Sequence, residues 1–406
     1  LFLSDCIFRS LVSSRVTDAP ASPLKMAIVA GGQNLFGKEI MALELGEGLR
    51  DRGHQVLFVS SLWCGDGGFG RRLQQAGIPA QFMRLGFISA TLRPDCIRMT
   101  LDQLIRAPGL WLNYAGFLRR QRSVQVIHTN WHHLLMLHPF LKPERDWFWL
   151  HEVVPNKPQY RHVFRHLARH LRAFIPVSDA VKASLLEIGI PENKIHVIHN
   201  GIKDPVGTES TRGRSWQGGR IGVVGQIGEW KGHQNLLEAF GAIAGSHPDA
   251  ELHLFGTGEQ DFTKRLRQRA EQLGVGGRMV WHGFLSDRRQ IYECIDLCAV
   301  PSRTADPLPT VAIEAAFFSL PVVASRIGGL PEIVEDGVSG FLHEAENQTE
   351  LATHLQTLLS SEELRKRMGA AARRRAQICF SRGRFVADFE QLLRSPESFL
   401  QPPSGP

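Results

Sequence analysis

The chain is poor in cysteine, with six in 406 residues at positions 6, 64, 96, 294, 298 and 379. So few, so scattered, exclude a disulfide scaffold, and a reducing compartment is the simpler expectation. Only Cys294 and Cys298 are close, and no second pair lies near them, so no metal site is expected there. No apolar run reaches the ~18 to 20 residues that a spanning helix needs, which argues against an integral membrane protein. Residues 1–25 lack the basic-then-apolar order of a secretory signal and are expected to form a disordered extension ahead of Met26. The 39 glycines and 22 prolines are dispersed rather than gathered into tracts, which excludes extensive disorder and repeat solenoids.

What is present is the composition of a globular chain, 43% hydrophobic and 21% charged. Its length suggests two domains of roughly 200 residues each. The net charge of +7 is uneven: residues 93–172 hold thirteen Lys/Arg against five Asp/Glu, and the remainder is close to neutral. Within that block, the segment Ile105 to Arg122 mixes Leu110, Trp111, Leu112, Tyr114 and Phe117 with Arg106, Arg119, Arg120 and Arg122. It reads either as a helix lying on an anionic membrane surface or as a core helix with a solvated basic end. No recognition module accompanies the charge, so nucleic acid is not an expected partner.

Short apolar runs alternate with helical patterns. Met26–Ala30, Gln55–Ser60, Val124–Thr129, Trp147–Leu150 and Ala173–Val177 read as buried strands, with Ile40–Leu49 as a helix. The pattern lapses where Pro205, Gly207, Gly213, Gly218 and Gly219 mark a linker over 204–219. It restarts with strands at Arg220–Val224, Glu251–Phe255, Met279–His282, Leu297–Val300 and Pro321–Ala324. The expected class is therefore α/β, with two doubly wound parallel sheets whose ligands sit beyond the carboxyl ends of the strands.

Three post-strand loops carry unusual residues. Gly31 to Glu39 is a glycine-bearing turn that would admit a ligand to a helix start, although steric need alone also explains it. Gly225 to Gly232 ends with Lys231 at a helix start, where a cation suits an anion or merely decorates a surface. Pro301 to Ala315 holds Asp306 in a proline-bounded loop and Glu314 in an otherwise apolar helix, with seven residues between them. A buried acid is costly unless hydrogen-bonded, so Glu314 is either functional or satisfied by backbone amides.

These residues resemble a family. From Met26 to Leu393 the chain looks like a family 4 glycosyltransferase of the GT-B fold, a retaining, nucleotide-sugar-dependent group. The likeness rests on the ordered set Val197-Ile198-His199-Asn200-Gly201-Ile202, Asp306 to Glu314, and Ile327-Gly328-Gly329-Leu330-Pro331-Glu332. It implies two Rossmann-like domains facing across a cleft. Residues 26–203 would form the acceptor domain, 220–380 the donor domain, 381–394 a helix crossing back to the first, and 395–406 a flexible tail. The resemblance gives Glu314 the ribose hydroxyls, Asp306 the donor-sugar hydroxyls, Lys231 the diphosphate, His151 a place near the transferred sugar and Gly37 one near the diphosphate. Arg303, Leu308, Pro309, Thr310 and Val311 would complete the donor site. Trp63, Trp131 and His132 lie in loops that could stack on an acceptor sugar, a role tryptophans share with ordinary packing.

The chain departs from the pattern at Gln226, where the family usually has a second cationic residue, and at Asp306, where glutamate is commoner. No Asp-x-Asp occurs, so the expectation is a metal-independent hexosyltransferase with no cofactor and the nucleoside diphosphate sugar as co-substrate. The acceptor would be a carbohydrate or a lipid-linked molecule in polysaccharide or glycolipid synthesis. The expected location is the cytoplasm, with peripheral attachment to the inner face of the plasma membrane. A nucleotide-sugar epimerase of the same fold and a catalytically silent binding protein are the alternatives.

Overall fold

The computed structural model describes residues 22–32, 37–64, 67–86, 88, 93–207 and 219–396. Residues 1–21, most of the 204–219 linker and all but the first two residues of the 395–406 tail lie outside the described residues. Contacts separate Ile202–Ser381 from the chain before and after it, so there are two compact units.

The first unit runs β1 (Lys25–Val29), α1 (Gly37–Asp51), β2 (Gln55–Ser61), α2 (Gly68–Gln75), β3 (Ala80–Met83), α3 (Pro94–Arg120), β4 (Gln125–His128), α4 (Trp131–Met136), β5 (Asp146–Leu150), α5 (Pro158–Leu167), β6 (Phe174–Pro176) and α6 (Asp179–Glu187). Its strands are parallel in the order β3-β2-β1-β4-β5-β6. The order reverses beside β1, and the crevice outside the carboxyl ends at such a switch is where open α/β sheets take ligands. Inside the sheet, His128 Nε2 lies 2.9 Å from Asp146 Oδ1, while Arg145 Nη2 reaches Oδ2 at 2.8 Å. The Lys142 N–H donates to the same oxygen at 2.8 Å, so this wholly buried carboxylate has the partners that make its burial tolerable.

The second unit repeats the plan with β7 (Arg220–Val224), α7 (His233–Ile243), β8 (Glu251–Phe255), α8 (Gln260–Gln272), β9 (Met279–Gly283), α9 (Arg288–Tyr292), β10 (Leu297–Val300), α10 (Thr310–Phe317), β11 (Val322–Ser325), α11 (Leu330–Ile333), β12 (Gly340–His343), α12 (Gln348–Leu359) and α13 (Glu362–Cys379). Its parallel order is β12-β11-β10-β7-β8-β9. Where the chain enters and leaves this unit, the Ile202 N–H donates to the Phe380 carbonyl at 3.0 Å.

After Ser381 the chain forms α14 (Arg382–Arg394), which is part of the first unit. Phe385 and Phe389 are fully buried there, with ring centroids 5.7 and 5.1 Å from Trp149 on β5. Arg382 adds ion pairs to Glu47 and Asp51 on α1 at 3.4 and 3.0 Å. The packing is thus an aromatic cluster under β5, with a charged fringe.

Two strands had no counterpart in the sequence reading, β3 and β12, and each lies at one of the two edges of its sheet. An edge strand has one partner and less cover, so it need not be continuously apolar. Ala-Gln-Phe-Met and Gly-Phe-Leu-His accordingly carry no such signal. The basic helix begins at Pro94 rather than Ile105, because proline suits a first helical turn, and it continues through Pro108.

Replacing Phe389 with alanine should cost about 3–5 kcal/mol of unfolding free energy, the usual range for a buried phenylalanine. Urea denaturation followed by tryptophan fluorescence measures it. A cost below about 1 kcal/mol would show that α14 does not anchor β5.

Candidate active site

In the second unit the loops after β7, β10 and β11 are laced together through their backbones. Lys231 closes the turn Glu229–Lys231, and Gly232 follows with φ +72° to cap α7. A Cβ on Gly232 would stand 1.8 Å from the Pro301 carbonyl oxygen, so the loop after β10 approaches only because that position is glycine. The Arg303 N–H then donates to the Trp230 carbonyl at 2.8 Å. On the other side, the Gly329 N–H donates to the Asp306 carbonyl at 2.9 Å. Gly328, at φ +59°, has no room for a Cβ, which would lie 2.2 Å from that same carbonyl oxygen.

This lacing sets the geometry of the charges. Lys231 Nζ lies 2.6 Å from Asp306 Oδ2, and the two side chains keep 24% and 21% of their exposure. Both belong to loops at the carboxyl edge of the sheet. Glu314, on the following helix α10, is buried. Arg288 Nε meets its Oε1 at 3.0 Å, and the Tyr292 hydroxyl donates to Oε2 at 2.9 Å. Among the described residues the glutamate is therefore held by side chains from α9 rather than by backbone amides. Burial and the Glu314 charge push the Tyr292 phenol well above its ordinary range, which keeps it a donor. Burial and the same charge push the Cys298 thiol up to about 12, so it remains a thiol and not a nucleophile.

Other expected donor-site residues divide. Thr310 and Val311 open α10, half-buried, and could offer N–H groups of its first turn. Leu308 and Pro309 are buried, so their backbone rather than their side chains would face a ligand. Gln226 is exposed. Arg303 is exposed and its Nε pairs with Glu346.

In the first unit, His151 follows β5, with its ring centroid 4.3 Å from Trp149. Burial, reinforced by Lys38, lowers its pKa to about 3, so the imidazole is neutral at pH 7. Its Nε2 is enclosed and has no hydrogen-bond partner among the described residues. His132 and His133 on α4 are lowered to about 4 and 3, burial again leading. For His132 a backbone hydrogen bond to Ile88 opposes the shift, and the Lys38 charge adds to it. For His133, Lys38 is the next cause after burial. Lys38 occupies the first turn of α1 beside Gly37, where a Cβ would meet no described atom within 4 Å. Trp131, half-buried, stacks on His132 at 3.7 Å and packs near Tyr160 and Phe164. The side chain of Trp63 lies outside the described residues.

Lys38, His133, Arg288 and Tyr292 were given no role in the sequence reading. Lys38 stood inside the glycine turn and could have been found there. Arg288 and Tyr292 carry no motif, and only the folding of α9 against α10 brings them to Glu314.

Residues 37–204 match the family model described as Glycosyltransferase Family 4, and residues 217–375 match Glycosyl transferases group 1. D-inositol 3-phosphate glycosyltransferase of Corynebacterium glutamicum (strain R) is 34% identical over 161 residues, covering 37% of this chain and 38% of that protein. N-acetyl-alpha-D-glucosaminyl L-malate synthase of Bacillus anthracis is 21% identical over 376 residues, 88% of this chain and 93% of its own. The better-conserved alignment thus spans well under half of the relative it matches. A solved structure of Anabaena HepE in complex with UDP superposes with a TM-score of 0.74 at 22% identity, covering 92% of this chain and all of that one. The shared fold is GT-B.

The depressed imidazoles have a consequence for stability. Unfolded histidine titrates near pH 6.5, so between about pH 6.5 and 4 the unfolded chain binds more protons than the folded one. Unfolding free energy should therefore fall as pH falls through that window and be insensitive to these groups above it. Urea midpoints between pH 7.5 and 5 test this, and His151→Asn should flatten the dependence. A wild-type midpoint that does not move would contradict the neutral buried imidazoles.

Proposed function

The chain belongs to the family 4 glycosyltransferases, and from that premise we propose that it transfers a hexosyl group from a nucleoside diphosphate sugar to an acceptor hydroxyl, with retention of configuration and without a bound metal. The observation that carries this reading is Lys231 paired with Asp306 at 2.6 Å, one loop away from a buried, side-chain-held Glu314. When donor binds, Lys231 exchanges the carboxylate for the diphosphate, and Asp306 turns to the hydroxyls of the sugar. Glu314, aligned by Arg288 and Tyr292, accepts from the ribose hydroxyls. The amino-terminal unit is the acceptor module, in which His151 offers a neutral imidazole with an unused nitrogen.

In the reaction the bond from the anomeric carbon to the diphosphate oxygen breaks as the acceptor oxygen bonds to that carbon from the same face. The acceptor proton passes to the departing diphosphate, whose charge Lys231 and the first-turn N–H groups of α10 stabilise by electrostatic preorganisation. The acceptor is a carbohydrate or a lipid-linked sugar.

A second reading concerns where this happens. Along α3, Ile97, Leu101, Leu104, Ile105 and Leu112 form an exposed stripe, with Ile105 78% and Leu112 77% exposed. Leu110, Tyr114 and Phe117 bury the opposite face. Arg98, Arg106, Arg119 and Arg120 are exposed on the same helix. Among the described residues no helix is long and apolar enough to cross a membrane. Apolar residues that enter the headgroup boundary with arginines beside them suit an anionic lipid surface, and each arginine near it contributes about 1 kcal/mol.

Three variants assayed with and without EDTA test the donor site. Lys231→Ala should weaken free nucleoside diphosphate and slow transfer by roughly 10² or more. Glu314→Gln should weaken every ribose-bearing ligand. Asp306→Asn should spare free nucleoside diphosphate while lowering turnover of the sugar nucleotide. Loss of nucleotide binding in a folded Asp306→Asn chain, or loss of transfer in EDTA, would contradict the assignment.

For the surface, Arg119, Arg120 and Arg122 changed together to glutamine should weaken binding to phosphatidylglycerol vesicles about tenfold or more while donor affinity is kept. Unchanged vesicle binding in a flotation assay would return α3 to an ordinary solvated helix.

A further inference from the structure

Three imidazoles converge on the first unit at a place the transfer reaction does not use. His138 opens the turn His138–Phe140, His166 is in the last turn of α5, and His170 lies in the turn that follows. One ring nitrogen from each lies within 4.8 Å of the others, and His166 Nε2 is 2.8 Å from His138 Nε2. The ring centroids of His170 lie 4.6 Å from those of His138 and 5.1 Å from those of His166. All three residues are half-buried, open enough for an ion to enter.

We propose that His138, His166 and His170 form a binding site for a divalent transition-metal ion of the zinc class. Three features support it. Imidazole nitrogen is the preferred ligand of zinc, nickel and copper ions, and it binds in its neutral form. Second, both segments are held in place. Arg145 Nη2 donates to the Phe140 carbonyl, and Lys194 Nζ donates to the carbonyls of Ala168 and Leu171. Third, tetrahedral coordination with Zn–N bonds of about 2.0–2.1 Å puts ligand nitrogens roughly 3.3 Å apart, inside the span these side chains already occupy. Water can fill the fourth position of the coordination sphere.

The site does not belong to the transfer chemistry. His138 leads into β5 and His170 into β6, so the cluster lies at the amino ends of these strands, opposite the carboxyl edge that carries His151. A bound ion would tie a segment before β5 to one before β6. Its expected effect is on stability, so its test does not depend on the glycosyltransferase reading.

The experiment uses the full chain without a polyhistidine tag. It is stripped with chelator, titrated with zinc chloride by calorimetry and followed in parallel by thermal unfolding. The expected result is one saturable equivalent and a higher Tm with zinc. His166→Gln and His170→Gln should each weaken binding about tenfold or more while far-UV circular dichroism is unchanged. His253→Gln, in the separate grouping of His253, His282 and Cys294, should bind like wild type. The proposal is overturned if no saturable equivalent is seen. It is equally overturned if the His138→Gln/His166→Gln double variant keeps it, or if His253→Gln abolishes it.

Discussion

The carbonyl oxygens of Pro301 and Asp306 sit where a side chain would otherwise be. One lies against Gly232 and the other against Gly328. This backbone-to-backbone approach is the constraint from which the second unit's geometry follows. A methyl group at either glycine would separate loops that start from different strands. Without the close approach, Lys231 and Asp306 would not meet at 2.6 Å. The glycines therefore act by letting two loops become one surface, rather than by contacting a ligand.

On that surface, charge is held in two different ways. Lys231 and Asp306 are partly exposed, so their attraction is screened and the pair can be opened by a ligand of higher charge. Glu314 is buried and tied to a guanidinium and a phenol, an arrangement that fixes its orientation and would be costly to break. One pair is exchangeable and one triad is permanent, which suits the proposed donor, whose diphosphate would leave while its ribose is held. The first unit offers the contrasting case, imidazoles kept neutral by burial and by the Lys38 charge.

Much of this was legible in the sequence because central parallel strands are covered on both faces and read as continuous apolar runs. β7, β8 and β10 were bounded correctly for that reason, whereas the edge strands β3 and β12 gave no such run. Asp306, Glu314 and Lys231 were legible as charged residues in apolar or glycine-bearing loops after strands. Their partners were not, since Arg288 and Tyr292 reach Glu314 from another helix, and pairing over that distance leaves no mark in local spacing. The ion pair of Arg303 with Glu346 was equally hidden. His138, His166 and His170 illustrate the same limit, with only His166 and His170 at helical spacing and His138 supplied by the fold.

The most direct test is a crystal structure of the chain with a nucleoside diphosphate sugar. The account predicts Lys231 on the diphosphate with its contact to Asp306 opened, Asp306 on the sugar hydroxyls, and the ribose hydroxyls on Glu314 while Arg288 and Tyr292 stay in place. A donor bound elsewhere, or bound with the Lys231–Asp306 pair intact, would contradict it.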